Sequence, residues 1–150
     1  MKLLEYEYRD PGQVVRDVTN SHALGAGDVL LVLVRRPNTD QDVVAVTRLS
    51  QDRLRELDSF ERPKMLARAV QAMPIPDWRP GLPPEHSVMT IVARRGWCII
   101  GAGEGEWLRA WLFSNHLCHT FGAELIVVTE HGWTDFSTGL GADEPRLTDD

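Results

Sequence analysis

Four residues of this chain could do acid–base chemistry: Asp28, Glu106, Glu130 and His131. Glu130 and His131 are adjacent and follow the apolar run ELIVVT, so they lie at the end of a predicted strand. A carboxylate beside an imidazole can transfer protons there, because histidine titrates near neutral pH. The same pair can equally form a turn whose side chains bond to the backbone, and the sequence leaves both interpretations open.

Three residues with metal-ligand chemistry, His116, Cys118 and His119, lie near the end of a predicted helix. His116 and His119 are three residues apart and are therefore neighbours on a helix. Cys118, however, belongs to the apolar stripe of that helix, whereas His116 lies on its far side. One zinc ion cannot collect all three side chains from a regular helix, so we predict no metal site and no cofactor.

Two further patterns fail as active-site motifs. The glycine-rich segment 101–105 precedes a helix, as a phosphate-binding loop would, but no Gly-Lys-Ser/Thr follows it. Glu104 and Glu106 would also repel a phosphate from that helix end. Ser87 beside His86 is no catalytic dyad, because neighbouring side chains of a strand point to opposite faces.

The apolar periodicity and the turn residues predict the elements. Asp10 before Pro11 is typical of a helix N-terminus, and the run DVLLVLVR from Asp28 is typical of a buried strand. The predicted helices are 11–21, 51–57, 63–73 and 104–121, and the predicted strands are 28–35, 42–49, 86–93, 97–100, 124–129 and a short last one within 131–137.

This order predicts a single α/β (α+β) domain spanning residues 1–150, with one mixed β-sheet flanked by helices. The proline-rich stretch from Pro74 to Pro84 is too short to divide two domains, so we interpret it as a crossover from a helix to a strand. The acidic tail, from about residue 143 to 150, is expected to be flexible.

The composition is that of a cytoplasmic globular protein. Hydrophobic residues make up 43% of the chain, and no apolar run approaches the roughly 20 residues that cross a bilayer. The first residues do not form the apolar segment of a signal peptide. Cys98 and Cys118 are too few for a disulfide framework and are expected to be free thiols.

The charge balance bears on the partners. A net charge of −6 argues against nucleic acid, for which Arg94 and Arg95 are the best local candidates. Tryptophan, arginine and large apolar residues tend to dominate protein interfaces. The candidates for a partner surface are Arg94, Trp97, Leu112, Phe113 and Trp133.

The order of elements resembles the JAB/MPN metalloprotease-like fold, in the branch of RadC-type proteins, over roughly residues 11–138. An apolar strand begins with an acid, Asp28, and a hairpin partner, a helix, a strand, a helix and a strand follow. The pair Glu130-His131 stands where the family has an Asp-His-like pair. The segment 135–137 (Asp-Phe-Ser) is similar to the family's aromatic-Ser ending.

In that family, two histidines of a His-x-His-Pro motif and one aspartate hold zinc, and an acid on the early strand activates the metal-bound water. The resemblance puts Ala93 and Arg95 at the degenerate histidine positions and Glu106 nearest to the aspartate. Asp28 would stand for the water-activating acid. Without imidazoles the metal is lost, and an arginine repels a cation. If the old site has been filled in, Asp28 and Arg95 are expected to form a buried ion pair.

The resemblance therefore implies a non-catalytic JAB/RadC-like domain that acts as a protein interaction or scaffold module, with a protein partner or a second copy of the chain. One alternative is a metal-independent or rearranged-site hydrolase that uses Asp28, Glu106, Glu130 and His131. Another is a nucleic-acid-associated accessory factor, by analogy with RadC-type proteins. The sequence favours the first of these three.

Overall fold

The chain forms four helices and six strands in a computed structural model that describes residues 6–75, 84–114 and 120–148. The helices are α1 (Pro11–Ser21), α2 (Gln51–Glu56), α3 (Glu61–Gln71) and α4 (Ala102–Ser114). The strands are β1 (Asp28–Arg35), β2 (Asp42–Ser50), β3 (His86–Ala93), β4 (Phe121–Thr129), β5 (Gly132–Asp135) and β6 (Gly141–Ala142). Most of the proline-rich stretch, predicted to be a crossover, lies outside the described residues.

The strands form one mixed sheet in the order β2-β1-β3-β4-β5-β6. Among the strands of the described residues, only β3 and β4 are parallel, and α4 belongs to the connection between them, as a parallel pair requires. The other neighbours are antiparallel, and β1 and β2 form the predicted hairpin. The predicted α/β (α+β) class, a mixed sheet flanked by helices, is confirmed.

The central strands are buried on both faces because helices cover both sides of the sheet. Successive residues of β1 alternate between two apolar cores. Leu30 and Val32 pack with α1, whereas Val29 and Leu31 pack with α3 and α4. This double burial explains why β1 and β3 are continuous apolar runs.

Helix α1 begins at the residue that the sequence predicts. The Asp10 carboxylate accepts a hydrogen bond from the backbone N–H of Gln13 at 3.2 Å, and Pro11 occupies the first helical turn. Val14, Val15 and Val18 are then buried against the sheet. Capping and apolar spacing together fix the helix that covers this face.

Two predicted elements are wrong. The predicted helix 104–121 begins at Ala102 and its last described helical residue is Ser114, while Phe121 starts β4 and pairs with Ser87 of β3. Sheet pairing has overridden the helical period there. The predicted strand 97–100 is irregular, because its carbonyl groups bond to side chains rather than to a neighbouring strand.

The chain after β5 packs back onto the sheet. The short strand β6 pairs with β5 and has no counterpart in the predicted elements. Leu147, within the segment predicted to be a flexible tail, is 5% exposed, and its N–H donates to the Thr129 carbonyl at 2.9 Å. None of the helices in the described ranges is long and apolar enough to span a membrane.

The close packing of α4 on β4 predicts that a side chain at Gly122 lowers the stability of the protein. A β-carbon at Gly122 would lie 2.5 Å from the Trp111 ring, so we expect Gly122→Ala to destabilise the protein by about 2 kcal/mol. Gly105 in α4 has nothing within 4 Å of such a carbon, so Gly105→Ala should instead stabilise by about 1 kcal/mol. Urea unfolding measures both, and equal effects of the two changes would contradict this packing.

Candidate functional site

One end of the sheet gathers most of the residues with predicted chemistry. Val29 pairs with Val92, and Ala93 pairs with Val128, so Asp28 and the residues that follow β3 and β4 lie at the same end. The N–H of Gly27 donates to the Ala93 carbonyl at 2.9 Å. Tertiary structure thus brings the predicted positions to one edge, and their side-chain contacts decide whether they act together.

Asp28 does not pair with Arg95 as expected. Its carboxylate forms an ion pair with Arg48 of β2 and accepts a hydrogen bond from the Gly25 N–H at 2.9 Å. The Arg48 guanidinium also donates to the Ala23 carbonyl at 2.5 Å. Asp28 therefore fixes the turn that leads into β1, and its contacts are those of a structural residue.

A partly buried ion pair does form at this end, between Arg94, which is next to Arg95 in the chain and 27% exposed, and Glu104. The Glu104 side chain is only 3% exposed and accepts three hydrogen bonds of 2.8 to 3.2 Å from the guanidinium. Glu104 also accepts the N–H of Gly101 at 2.8 Å, the arrangement of a capping box at the start of α4. The pair thus joins the end of β3 to the first turn of α4. The Glu104 carboxylate is the main cause of the raised pKa of Arg94.

The same arginine holds the segment 95–100, which we call the clamped loop. Its Nη1 donates to the Trp97 carbonyl at 3.0 Å, and its Nη2 donates to the Ile99 carbonyl at 2.5 Å. From the other side, the Thr134 hydroxyl donates to the Cys98 carbonyl at 2.6 Å. The loop therefore has a fixed backbone without being a strand.

Glu130 and His131 also serve the clamped loop. Both carboxylate oxygens of Glu130 accept the Gly96 N–H at 3.1 Å. The backbone N–H groups of Glu130 itself and of Gly96 lower the pKa of this carboxyl. The His131 imidazole stacks on the Trp97 indole with 5.3 Å between ring centroids. The pair has the contacts of a turn that supports a loop, the non-catalytic interpretation of the sequence.

Glu106 is separate from these residues. It forms an ion pair of 2.9 Å with Arg62 of α3, on the opposite face of the sheet from α1. Glu130 and His131 lie within 3.6 Å of each other, but Asp28 pairs with Arg48 and Glu106 with Arg62, so the four predicted acid–base residues do not form one constellation. Ala93, one predicted metal position, is buried in the core beside α1.

The histidine and cysteine candidates near the end of α4 lie outside the described residues. Within the described ranges, no group of three or more His, Cys, Asp or Glu side chains could hold a metal ion. Cys98 is a free thiol in the clamped loop, while Cys118 is not described.

The predicted partner surface divides into exposed and buried residues. Trp97, Leu112 and Phe113 are 74%, 73% and 53% exposed. The prediction that Trp133 is a surface residue is wrong, because its side chain is 6% exposed and packs in the core beside α1. Its indole N–H donates to the Glu144 carbonyl. Arg94 offers little free charge, because its guanidinium is held by Glu104. The sequence-based candidates for a partner surface did not include Ile99, whose side chain is 66% exposed.

The buried pair predicts a large effect of removing one partner. Arg94→Met leaves the Glu104 carboxylate buried without its cation, so we expect a loss of about 3 kcal/mol in unfolding free energy. Arg55→Met is the matched control, because the Arg55–Asp52 pair is exposed and should contribute less than about 0.5 kcal/mol. Urea unfolding of both variants tests this, and similar losses would argue against a structural role for the Arg94–Glu104 pair.

A second site, absent from the sequence-based candidates, lies at the opposite end of the sheet. A cavity of about 880 Å³ opens there beside the starts of β3 and β4 and the end of β5. Its polar groups include Glu124 and Asp135, which lie on neighbouring strands because Asp135 pairs with Ile126. Trp111 of α4 forms part of its wall and donates its indole N–H to Thr90 at 2.7 Å.

The two carboxyls of this cavity share one environment. Asp135 is fully buried and accepts the Ser137 N–H at 2.9 Å and the Thr138 hydroxyl at 3.0 Å. Burial, and then the hydrogen bond and charge of Asp135, raise the pKa of Glu124 to about 9. At neutral pH, Glu124 is therefore a neutral acid beside a carboxylate, a state in which carboxyl pairs can hold or transfer a proton.

Tyr8 completes the polar lining. Its hydroxyl donates to the Ser87 hydroxyl oxygen at 2.9 Å, and burial raises the pKa of Tyr8. The sequence carried one signal for this site: Glu124 opens an otherwise apolar strand, where an acid needs a partner. The sequence does not predict that Asp135 is the partner of Glu124, because Asp135 lies on the other strand of the β4–β5 hairpin.

Comparison of the chain with protein-family models, curated proteins and solved structures gives no match.

The raised pKa of Glu124 predicts a pH-dependent stability. In the folded chain this carboxyl keeps its proton up to about pH 9, whereas its ordinary pKa is 4.5, so its contribution to stability falls as the pH rises between these values. We expect Glu124→Gln to gain stability relative to the wild type across this range, by at most about 1.4 kcal/mol per pH unit. Urea unfolding at several pH values, with exposed Glu144→Gln as the control, measures this gain. A difference that stays constant with pH would contradict it.

Proposed function

We propose that this protein is a non-catalytic interaction module of the JAB/RadC-like kind, and that the clamped loop is its contact with a protein partner. The observation that carries the proposal is the exposure of Trp97 and Ile99 on a loop whose backbone is fixed by a buried ion pair. Large apolar side chains normally gain free energy by burial, so two held in water by a rigid backbone favour a role in binding.

The clamped loop has the properties of a preorganised binding element. Its carbonyl groups are satisfied by Arg94 and Thr134, and its Gly96 N–H by Glu130. Binding would therefore order little further backbone, which lowers the entropic cost of association. Tryptophan is among the residue types that dominate interface energies, and the stack on His131 limits the freedom of the Trp97 ring.

One observation supports the JAB/RadC-like part of the proposal, namely where the positions that the resemblance assigns to a metal site lie in the sheet. The ends of β3 and β4 and the start of β1 lie together, at the edge where the resemblance would place a metal centre. In this chain that edge carries the Arg94–Glu104 pair, the methyl group of Ala93 and a structural Asp28. These contacts favour a binding surface over a hydrolytic centre.

The same observations favour a nucleic-acid partner less than a protein partner. Phosphate binding needs cationic side chains that can replace counterions, and the charge of Arg94 is already matched by Glu104. The net charge of −6 opposes approach to a polyanion. The clamped loop is thus better suited to an apolar recess on a protein.

The proposal predicts that partner binding depends on Trp97 and Ile99. A partner identified with wild-type bait should bind Trp97→Ala and Ile99→Ser at least tenfold more weakly in calorimetry, as expected for a residue worth about 2 kcal/mol. Phe60→Ala is the matched control, since Phe60 is 80% exposed outside the clamped loop, and it should bind unchanged.

Two further measurements bear on the alternatives. Sedimentation velocity shows whether the partner is a second copy, in which case Trp97→Ala shifts the chain to the monomer. Equal affinity of all three variants would contradict the proposal, as would stoichiometric zinc that remains on the purified protein after dialysis.

A further inference from the structure

The cavity at the opposite end of the sheet from the clamped loop has the dimensions of a ligand site. Its volume of about 880 Å³ lies within the range of roughly 300 to 1,000 Å³ found for small-molecule sites. It is bounded by β4 and β5, by one side of α4 and by the segment that carries Tyr6 and Tyr8. None of the residues that hold the clamped loop contributes to this lining as described.

The two carboxyls of the cavity share one proton. Glu124 is hydrogen-bonded to Asp135 and to the Ser137 side chain, while its Oε1 is buried without a donor among the described residues. The Tyr8 hydroxyl donates to Ser87, and the Ser137 N–H and the Thr138 hydroxyl donate to Asp135. If the shared proton leaves, two carboxylates face each other, and a ligand that brings N–H donors and a positive charge would offset their repulsion.

The described lining of the cavity contains acids but no lysine or arginine. Of the two facing carboxyls, Asp135 carries the charge, because Glu124 holds its proton at neutral pH. The residues contributed by α4, Leu108, Trp111 and Leu112, are uncharged. An anionic ligand would meet repulsion from Asp135, whereas a cation would be attracted.

The walls are apolar and partly aromatic, formed by Leu108, Leu112, Trp111, Phe121 and Phe136. Such walls offer little to a bare divalent ion, which needs six or more oxygen ligands. They suit the hydrocarbon part of an organic molecule, and aromatic rings also attract an ammonium or guanidinium group. The cavity combines apolar walls with acidic acceptors, and an organic cation would use both.

We propose that this cavity binds a small organic cation, an amine or guanidine carried on an apolar body, with Glu124 and Asp135 as its counter-ions. The cationic group would donate to the free oxygen of Glu124 and lie beside Asp135, while the body would contact Trp111 and Phe121. This proposal does not depend on the proposed role of the clamped loop in partner binding, and either one can be correct without the other.

Binding of the cation would exchange it for a proton. At neutral pH the Glu124 carboxyl holds its proton, and a bound cation would favour the carboxylate, so that proton leaves to the solvent. The other titratable groups that line the cavity as described are Asp135 on β5 and Tyr6, Glu7 and Tyr8 on the N-terminal segment. Since one proton leaves for each ligand, affinity should rise with pH by up to tenfold per unit until about pH 9.

The test is isothermal titration calorimetry on the full chain with four matched probes: phenethylammonium, phenethylguanidinium, neutral phenethyl alcohol and anionic phenylpropionate. We expect the two cations to bind and the alcohol and the anion to bind at least tenfold more weakly. Titration in buffers of different ionisation enthalpy should show proton release at pH 7. Glu124→Gln and Asp135→Asn should each weaken cation binding at least tenfold, while exposed Glu144→Gln should not.

Several outcomes would overturn the proposal. The first is equal binding of the alcohol and the cations, which indicates an apolar recess alone. The second is the absence of cation binding to wild-type protein at about 10 mM probe, which would mean a binding free energy weaker than about 3 kcal/mol. The third is saturable Ca²⁺ binding that depends on Asp135, which indicates a metal site. Trp97→Ala should bind the cations like the wild type, so this result separates the cavity from the clamped loop. If Glu124→Gln fails to fold, the pH dependence of the wild type still decides.

Discussion

The ion pair between Arg94 and the buried carboxylate of Glu104 is the interaction on which the end of the sheet beside the clamped loop depends. It joins the end of β3 to the first turn of α4, caps that helix through Gly101, and supplies donors to the carbonyls of the clamped loop. A buried pair with one partner removed leaves an uncompensated charge, which costs several kcal/mol. One guanidinium therefore sets the course of the chain between two major elements.

The two ends of the sheet use buried charge in opposite ways. At the end of β3, cation and anion match, and the Glu104 carboxylate has donors from Arg94 and Gly101. At the start of β4, two carboxyls face each other without a basic residue in the described cavity lining, so Glu124 is kept neutral and one of its oxygens lacks a donor. The first arrangement is complete by itself and stabilises the fold. In the second, the two carboxyls share a proton, and the stability that this state contributes falls as the pH rises towards about 9.

The parallel pairing of β3 and β4 explains why these two groups of charged residues lie at opposite ends of the sheet. Apart from Thr90, which accepts the Trp111 indole N–H, the interior of both strands is apolar on both faces, so the charged side chains lie towards the ends of the strands. Because the two strands run in the same direction, their starts share one edge and their ends share the other. Asp28 joins the second edge because β1 is antiparallel to β3, and there its charge meets Arg48 rather than a metal or a substrate.

The sequence by itself determined the elements that rest on local pattern: the capped helix α1, the apolar strands β1 and β3, and the mixed sheet with helices on both sides. It could not determine where α4 gives way to β4, because the helical period near Phe121 yields to pairing with Ser87. Nor could it determine which charges meet. Arg94 with Glu104, Asp28 with Arg48 and Glu124 with Asp135 are each set by strand register and helix docking. Local propensity acts over a few residues, whereas burial and pairing act between segments that only the folded chain brings together.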